Sequence, residues 1–217
     1  MTPRVVEGVP LPLVRRAASL HLRALGYSSF ITLFGEEFLY ELYRGLLEKG
    51  LAFLIVAEKG GELQGFILGS ADGSRLNDAI LARPVRFGLL MLPAMLRRPG
   101  IFFKALEIAF YGRRAEKTGD LAAKAELVVI AVEDSTRSKG VGAALVGALE
   151  RKFAADGIAR YKVTCHEDMS RANAFYRKNG FVQQGSFPLA GFVWNLYTKT
   201  VSPLPPAGEG ELAGELF

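Results

Sequence analysis

The stretch that most constrains this chain is Ala125 to Val146, AELVVIAVEDSTRSKGVGAALV. Glu126 to Val132 is rich in β-branched residues, which predicts a central strand. A polar turn runs from Glu133 to Lys139. From Gly140 on, Val141, Ala144, Leu145, Ala148, Leu149 and Phe153 recur at helical spacing until Gly157 stops the pattern. A strand that feeds through Arg-x-x-Gly-x-Gly into a helix gathers unpaired backbone N–H groups and the positive end of a helix dipole at one point. That point suits an anion. Gly140 and Gly142 allow unusual dihedrals and close approach of phosphate oxygens, and Arg137 and Lys139 add charge. Glycines before a helix also serve tight turns, so the spacing alone names no nucleotide. A P-loop requires Gly-Lys-Ser/Thr at the helix start, and a Rossmann fingerprint requires a third glycine; Val141-Gly142-Ala143 supplies neither.

The flanking sequence reads as alternating helices and strands. Leu13, Ala17, Leu20, Ala24 and Leu25 predict a helix over 11–25 that ends at Gly26, and Tyr27 to Gly35 reads as an aromatic loop. Glu36 to Lys49 carries acids early and a basic residue late, the polarity that a helix dipole favours. Leu51 to Glu58 and Glu62 to Ser70 form a predicted hairpin around Lys59-Gly60-Gly61. From Ala79 to Arg114 the chain is apolar and basic, and Pro84, Pro93 and Pro99 divide it into two or three short helices, read as an insertion over 79–118. Downstream come a strand from Ile158 to His166, a short helix N-capped by Ser170, and a closing hairpin of Phe181 to Ser186 and Gly191 to Thr200. Residues 1–201 read as one domain, and 202–217 as a flexible tail with too little apolar content to pack.

The run LVVIAV followed by Arg137-Ser138-Lys139-Gly140-Val141-Gly142, with Ser170-Arg171-Ala172-Asn173-Ala174-Phe175-Tyr176-Arg177-Lys178-Asn179-Gly180-Phe181 downstream, resembles the GNAT superfamily of N-acetyltransferases. The resemblance covers Glu126 to Phe181, with looser agreement over Leu11 to Ser70. It implies an α/β fold with a mixed, mostly antiparallel sheet of six or seven strands. A splayed parallel central pair, Glu126–Val132 and Ile158–His166, is implied, with helices on both faces. It implies acetyl-CoA as co-substrate, with no metal. The pyrophosphate falls to the backbone from Arg137 through Ser138, Lys139, Gly140, Val141 and Gly142 to Ala143, and the pantetheine arm to Ile130, Ala131 and Val132.

The resemblance further implies that Tyr176 protonates the departing thiolate. Read as a helix residue, Tyr176 is a half-buried packing group. An attacking alkylammonium, with a pKa of about 10.4, must first lose a proton. Glu126 takes the general-base position of the histone-acetyltransferase branch; as a residue at a strand start it is also a solvated acid. His21 and His166 are competitors for that role. Family members often carry asparagine where Met169 stands, and Asn173 is the substitute for cofactor contact or a helix-surface amide. Cys165 in an apolar strand reads as core.

Three functions follow: an N-acyltransferase acting on an amine of a small molecule or peptide, a catalytically lapsed CoA-binding module, and a membrane-surface protein using the insertion. Residues 83–117 hold eight basic residues against two acids, more positive charge than the whole chain's net +5. That patch suits a lid favouring a carboxylate-bearing acceptor, a peripheral membrane contact, or a homodimer contact. It lacks the aromatic-interleaved pattern of nucleic-acid binders. A single cysteine excludes an internal disulfide framework, and without a signal-like N-terminus the expected location is the cytoplasm.

Overall fold

The computed structural model describes residues 2–26, 30–101, 104, 107 and 123–202. The strands are β1 (Arg4–Val5), β2 (Phe53–Lys59), β3 (Glu62–Ser70), β4 (Ala125–Val132), β5 (Arg160–His166), β6 (Val182–Leu189) and β7 (Phe192–Thr200). They form one 7-stranded sheet in the order β1-β2-β3-β4-β5-β7-β6. Every pairing is antiparallel except β4 with β5. The mixed, mostly antiparallel sheet expected from the sequence is therefore present.

Helices α1 (Leu11–Leu25), α2 (Glu36–Glu48), α3 (Asp78–Leu81), α4 (Pro84–Arg97), α5 (Val141–Ala155) and α6 (Ser170–Lys178) cover both faces. On one face α1 and α2 bury Val14, Leu20, Phe38 and Leu39 against Leu54, Phe66 and Leu68, and α4 adds Phe87. On the other, α5 buries Leu145, Leu149 and Phe153 with Ile55, Ile67 and Tyr161, and Tyr176 and Phe181 extend that core. The alternation of a half-buried strand reappears here as one apolar set on each face of a sheet covered twice.

Three local expectations change. Pro93 lies inside α4 without ending it, although its missing N–H removes one bond of the helical ladder. Ser170 is the first helical residue; the cap position belongs to Met169, with no side-chain cap bond. Phe30–Phe34, assigned to a loop, winds as a 3₁₀ helix. Most of the insertion beyond Ile101, including Arg113, Arg114 and Lys117, and the tail from 203 onward lie outside the described residues.

Candidate active site

The central parallel pair opens almost as soon as it forms. Ala125 pairs with Tyr161 and Glu126 with Lys162, and the pairing stops there. On its other side β4 stays in register with β3 as far as Val132, which lies opposite Gly65. A bulge helps to open the pair: Leu127 faces Gly69 and Val129 faces Leu68, so Val128 is an extra residue in β4 and bends it. Beyond Glu126, the edge of β4 carrying Ile130, Ala131 and Val132 has no strand beside it toward β5. Backbone groups in a cleft of this kind are available to a ligand.

The wide end of the splay leads into the glycine loop. Ser138 and Gly140 hold left-handed backbone conformations, with φ of 65° and 80°. A Cβ on Gly140 would meet nothing within 4 Å, so the space above it is open. Ala144 N–H bonds Gly140 O at 2.9 Å, the first bond of α5. The amides of Val141, Gly142 and Ala143 precede it and have no partner within the helix. Arg137 braces the loop through Asp134 at 2.6 Å and through the carbonyl of Ala24 at 3.1 Å, while Lys139 and Gly140 are exposed. Gly142 has a further role: a Cβ there would sit 2.9 Å from the Phe175 ring, so this glycine lets α6 approach α5. Free amides, a helix dipole and left-handed turns fit a phosphate-bearing cofactor.

Residues 100–183 match the family model of the acetyltransferase (GNAT) domain. Over that stretch, under half of the chain, the sequence is similar to GNAT acetyltransferases. Its fold is also that of solved structures of low identity. A putative GNAT-family acetyltransferase from Desulfovibrio desulfuricans aligns with a TM-score of 0.58 and 16% identity, over 93% of this chain and 99% of that one. An aminoglycoside 6'-N-acetyltransferase complexed with coenzyme A aligns with a TM-score of 0.58 and 14% identity, over 94% and 99%. The ribosomal-protein-S18-alanine N-acetyltransferase from Escherichia coli aligns with a TM-score of 0.54 and 15% identity, over 98% and 99%. A comparison with curated protein sequences gives no match. The family and these neighbours are acetyltransferases, and one of the neighbours is complexed with coenzyme A.

Glu126 lies at the apex of the splay, in register with Lys162. Lys162 Nζ is 3.8 Å from Glu126 Oε2, and both side chains are largely buried. Burial pushes the Glu126 carboxyl above its usual range, and the Lys162 charge opposes part of that rise. Sequence spacing did not single out Lys162, because only the parallel register brings it opposite Glu126. Tyr176 is buried between Phe175, Phe181 and Tyr197, with ring centroids 5.2 to 5.7 Å away. Burial raises its phenol above the ordinary range, so it stays protonated.

Asn173 is buried, which removes the helix-surface reading. Its Nδ2 donates to the carbonyls of His166, Glu167 and Met169 at 2.9 to 3.1 Å. Its Oδ1 accepts from Asn195 and from Tyr197 Oη. This amide is fully engaged in tying α6 to the ends of β5 and β7. Met169 takes part through its carbonyl.

The other candidates separate. His21 is buried in the α1–α2 core, with Nδ1 against Tyr43 Oη, and burial lowers its pKa to about 4. His166, at the wide end of the splay, packs its ring 4.4 Å from Phe192 and 5.6 Å from Trp194; its buried Nε2 has no hydrogen-bond partner among the described residues. Burial pushes the Cys165 thiol up to about 12, as a core residue requires. The insertion leaves the sheet at the narrow end, where Ser70 pairs with Glu126. It reaches the β6–β7 turn beyond His166: Glu107 Oε1 accepts from Ala190 N–H at 3.0 Å, and Lys104 Nζ lies 5.0 Å from the Phe192 ring centroid.

Proposed function

We propose that this protein transfers the acetyl group of acetyl-CoA to a primary amine of a small molecule or peptide by direct attack. The observation that carries this reading is the splay of β4 from β5 directly above Glu126, continued into the left-handed loop before α5. Bound acetyl-CoA supplies an activated thioester. The amides of Ser138 and of Gly140 to Ala143, with the side chains of Arg137 and Lys139 at the rim, hold the pyrophosphate; the Lys139 amide itself bonds the Thr136 carbonyl within the turn. Ile130, Ala131 and Val132 offer a strand edge to the pantetheine amides. An amine acceptor is supported by the neighbours whose names specify one, the aminoglycoside 6'-N-acetyltransferase and the ribosomal-protein-S18-alanine N-acetyltransferase.

In this reading Glu126 takes the proton of the incoming ammonium, directly or through one water. A carboxyl raised by burial is closer to neutral pH than an ordinary one and so is better matched to that transfer. Tyr176 keeps its proton until a thiolate forms beside it, as a proton donor must. Asn173 positions α6, and Tyr176 with it, by its bonds to β5 and β7.

Calorimetric titration with acetyl-CoA, beside a Gly140→Asp variant, tests the reading. Aspartate tolerates the left-handed conformation better than most residues and projects into open space. It adds a negative charge where the pyrophosphate is expected while sparing the Gly142–Phe175 contact. Wild type should bind, and the variant should bind roughly 100-fold more weakly. Wild-type protein that does not bind acetyl-CoA would overturn the proposal. If binding holds, Glu126→Gln should lower the rate of amine acetylation at neutral pH by about 100-fold or more without changing acetyl-CoA affinity.

A further inference from the structure

Helix α4 is apolar on two opposite faces, and only one of them is used by the fold. Phe87 is buried with its ring 5.3 Å from that of Phe38, and Leu90 and Met91 pack beside it on the α1–α2 core. Val85, Leu89, Leu92 and Leu96 are 75%, 65%, 46% and 74% exposed. At 100° per residue these four fall within about 60° of one another, so they form one continuous stripe pointing away from the protein. Leu81 of α3 is also exposed, at 57%.

Position and charge identify what covers the stripe. Between Ala79 and Leu106 the sequence holds Arg83, Arg86, Arg97, Arg98 and Lys104 and no acidic residue. Arg86 and Arg97 flank the stripe on one side of α4, and Arg98 caps its C-terminal end. Arg97 and Arg98 have no ion-pair partner among the described residues. Arg83 and Arg86 bind Glu48 and Glu41 of α2 at 2.8 and 2.6 Å, which fixes the helix with its stripe outward. Two copies packed stripe to stripe would set these cationic rims together with no acid in the segment to meet them. A surface that is apolar within and anionic at its boundary meets both features at once.

We propose that α4 seats this protein on an anionic phospholipid surface, with Val85, Leu89, Leu92 and Leu96 in the acyl boundary and Arg97 and Arg98 among the phosphates. A helix of 14 residues is too short to cross a bilayer and long enough to lie in its interface. No single described helix is long and apolar enough to span. The docked helix would hold the α1–α2 face toward the membrane.

Co-sedimentation with vesicles of phosphatidylcholine alone and of phosphatidylcholine with phosphatidylglycerol tests this, using the full chain. Binding should require the anionic lipid and fall steeply as added salt shortens the screening length from about 10 Å at 0.1 M toward about 3 Å at 1 M. Arg97→Gln with Arg98→Gln should weaken vesicle binding roughly 30-fold, and Leu89→Asp with Leu92→Asp should abolish it. Neither pair should change the thermal unfolding midpoint by much, since these side chains are exposed. Absence of binding to the anionic vesicles, or equal binding to both compositions, would overturn the proposal. So would a dimer in sedimentation equilibrium that the leucine pair dissociates, because the stripe would then belong to a second copy. Acetyl-CoA titration is independent of every one of these results.

Discussion

On one face of the sheet α5 and α6 are held by shape and by a saturated polar network; on the other, α1, α2 and α4 are held by an apolar core with charged ties at its edge. The first face admits α6 through the absent side chain of Gly142, and Asn173 spends both ends of its amide on protein partners. The second leaves His21 Nε2 and Glu41 Oε2 buried without a hydrogen-bond partner among the described residues and ties α4 to α2 through Glu41, Arg83 and Arg86. The difference follows from what each face supports. On the proposed mechanism, proton and acyl transfer depend on a fixed distance between Tyr176, the loop and β5, and small misplacements there are costly. A face bearing an added helix needs attachment more than fixed distances, and long charged side chains attach with tolerance.

Acid should break the second face first. His21 is held near pKa 4 in the fold against about 6.5 when unfolded, so the unfolded chain binds the extra proton between those values. The stability of the neutral imidazole is fully present above pH 6.5 and is lost as pH falls toward 4, by about 3 kcal/mol in all. Urea unfolding across that range should show the loss, and His21→Gln should remove most of it.

Glu41→Gln should cost about 2 kcal/mol, because it removes a carboxylate, 1% exposed, that faces Arg44, Arg83 and Arg86. Amide exchange should then quicken in α4 before it does in α6. Equal quickening in both helices would contradict the separation of the two faces.

The smallest expected effect sharpens the first face. Gly142→Ala should destabilise by about 1 to 2 kcal/mol through its contact with Phe175, and Phe175→Leu should restore part of the loss. A neutral Gly142→Ala would mean that α6 has slack, and that fixed distance does not govern this face.

Legibility in the sequence followed the range of the interactions. The boundaries of β3 and α1 were read to the residue, because alternation and helical spacing are local and Gly26 marks a stop. The loop from Arg137 to Ala143 was legible because its conformation is set by its own glycines and by the helix that follows. Asn173 was not. Its partners Asn195 and Tyr197 lie 22 and 24 residues away, and they meet it only once β7 pairs with β5. Met169 drew notice as a missing asparagine, yet what it supplies is a backbone carbonyl, which any residue carries.

The sequence by itself determined where the strands and helices lie, where a glycine-bearing turn leads into α5, and that the insertion is basic and apolar, because each of these rests on neighbours within a few turns of chain. Only the tertiary structure decided which apolar side of α4 is spent on the core and which is left outward, that Gly142 is required by Phe175, and that Lys162 stands beside Glu126. Those depend on register and on contacts between distant segments, such as Arg137 with the carbonyl of Ala24, 113 residues apart. Periodicity shows that a face is apolar; it does not say what the face will meet.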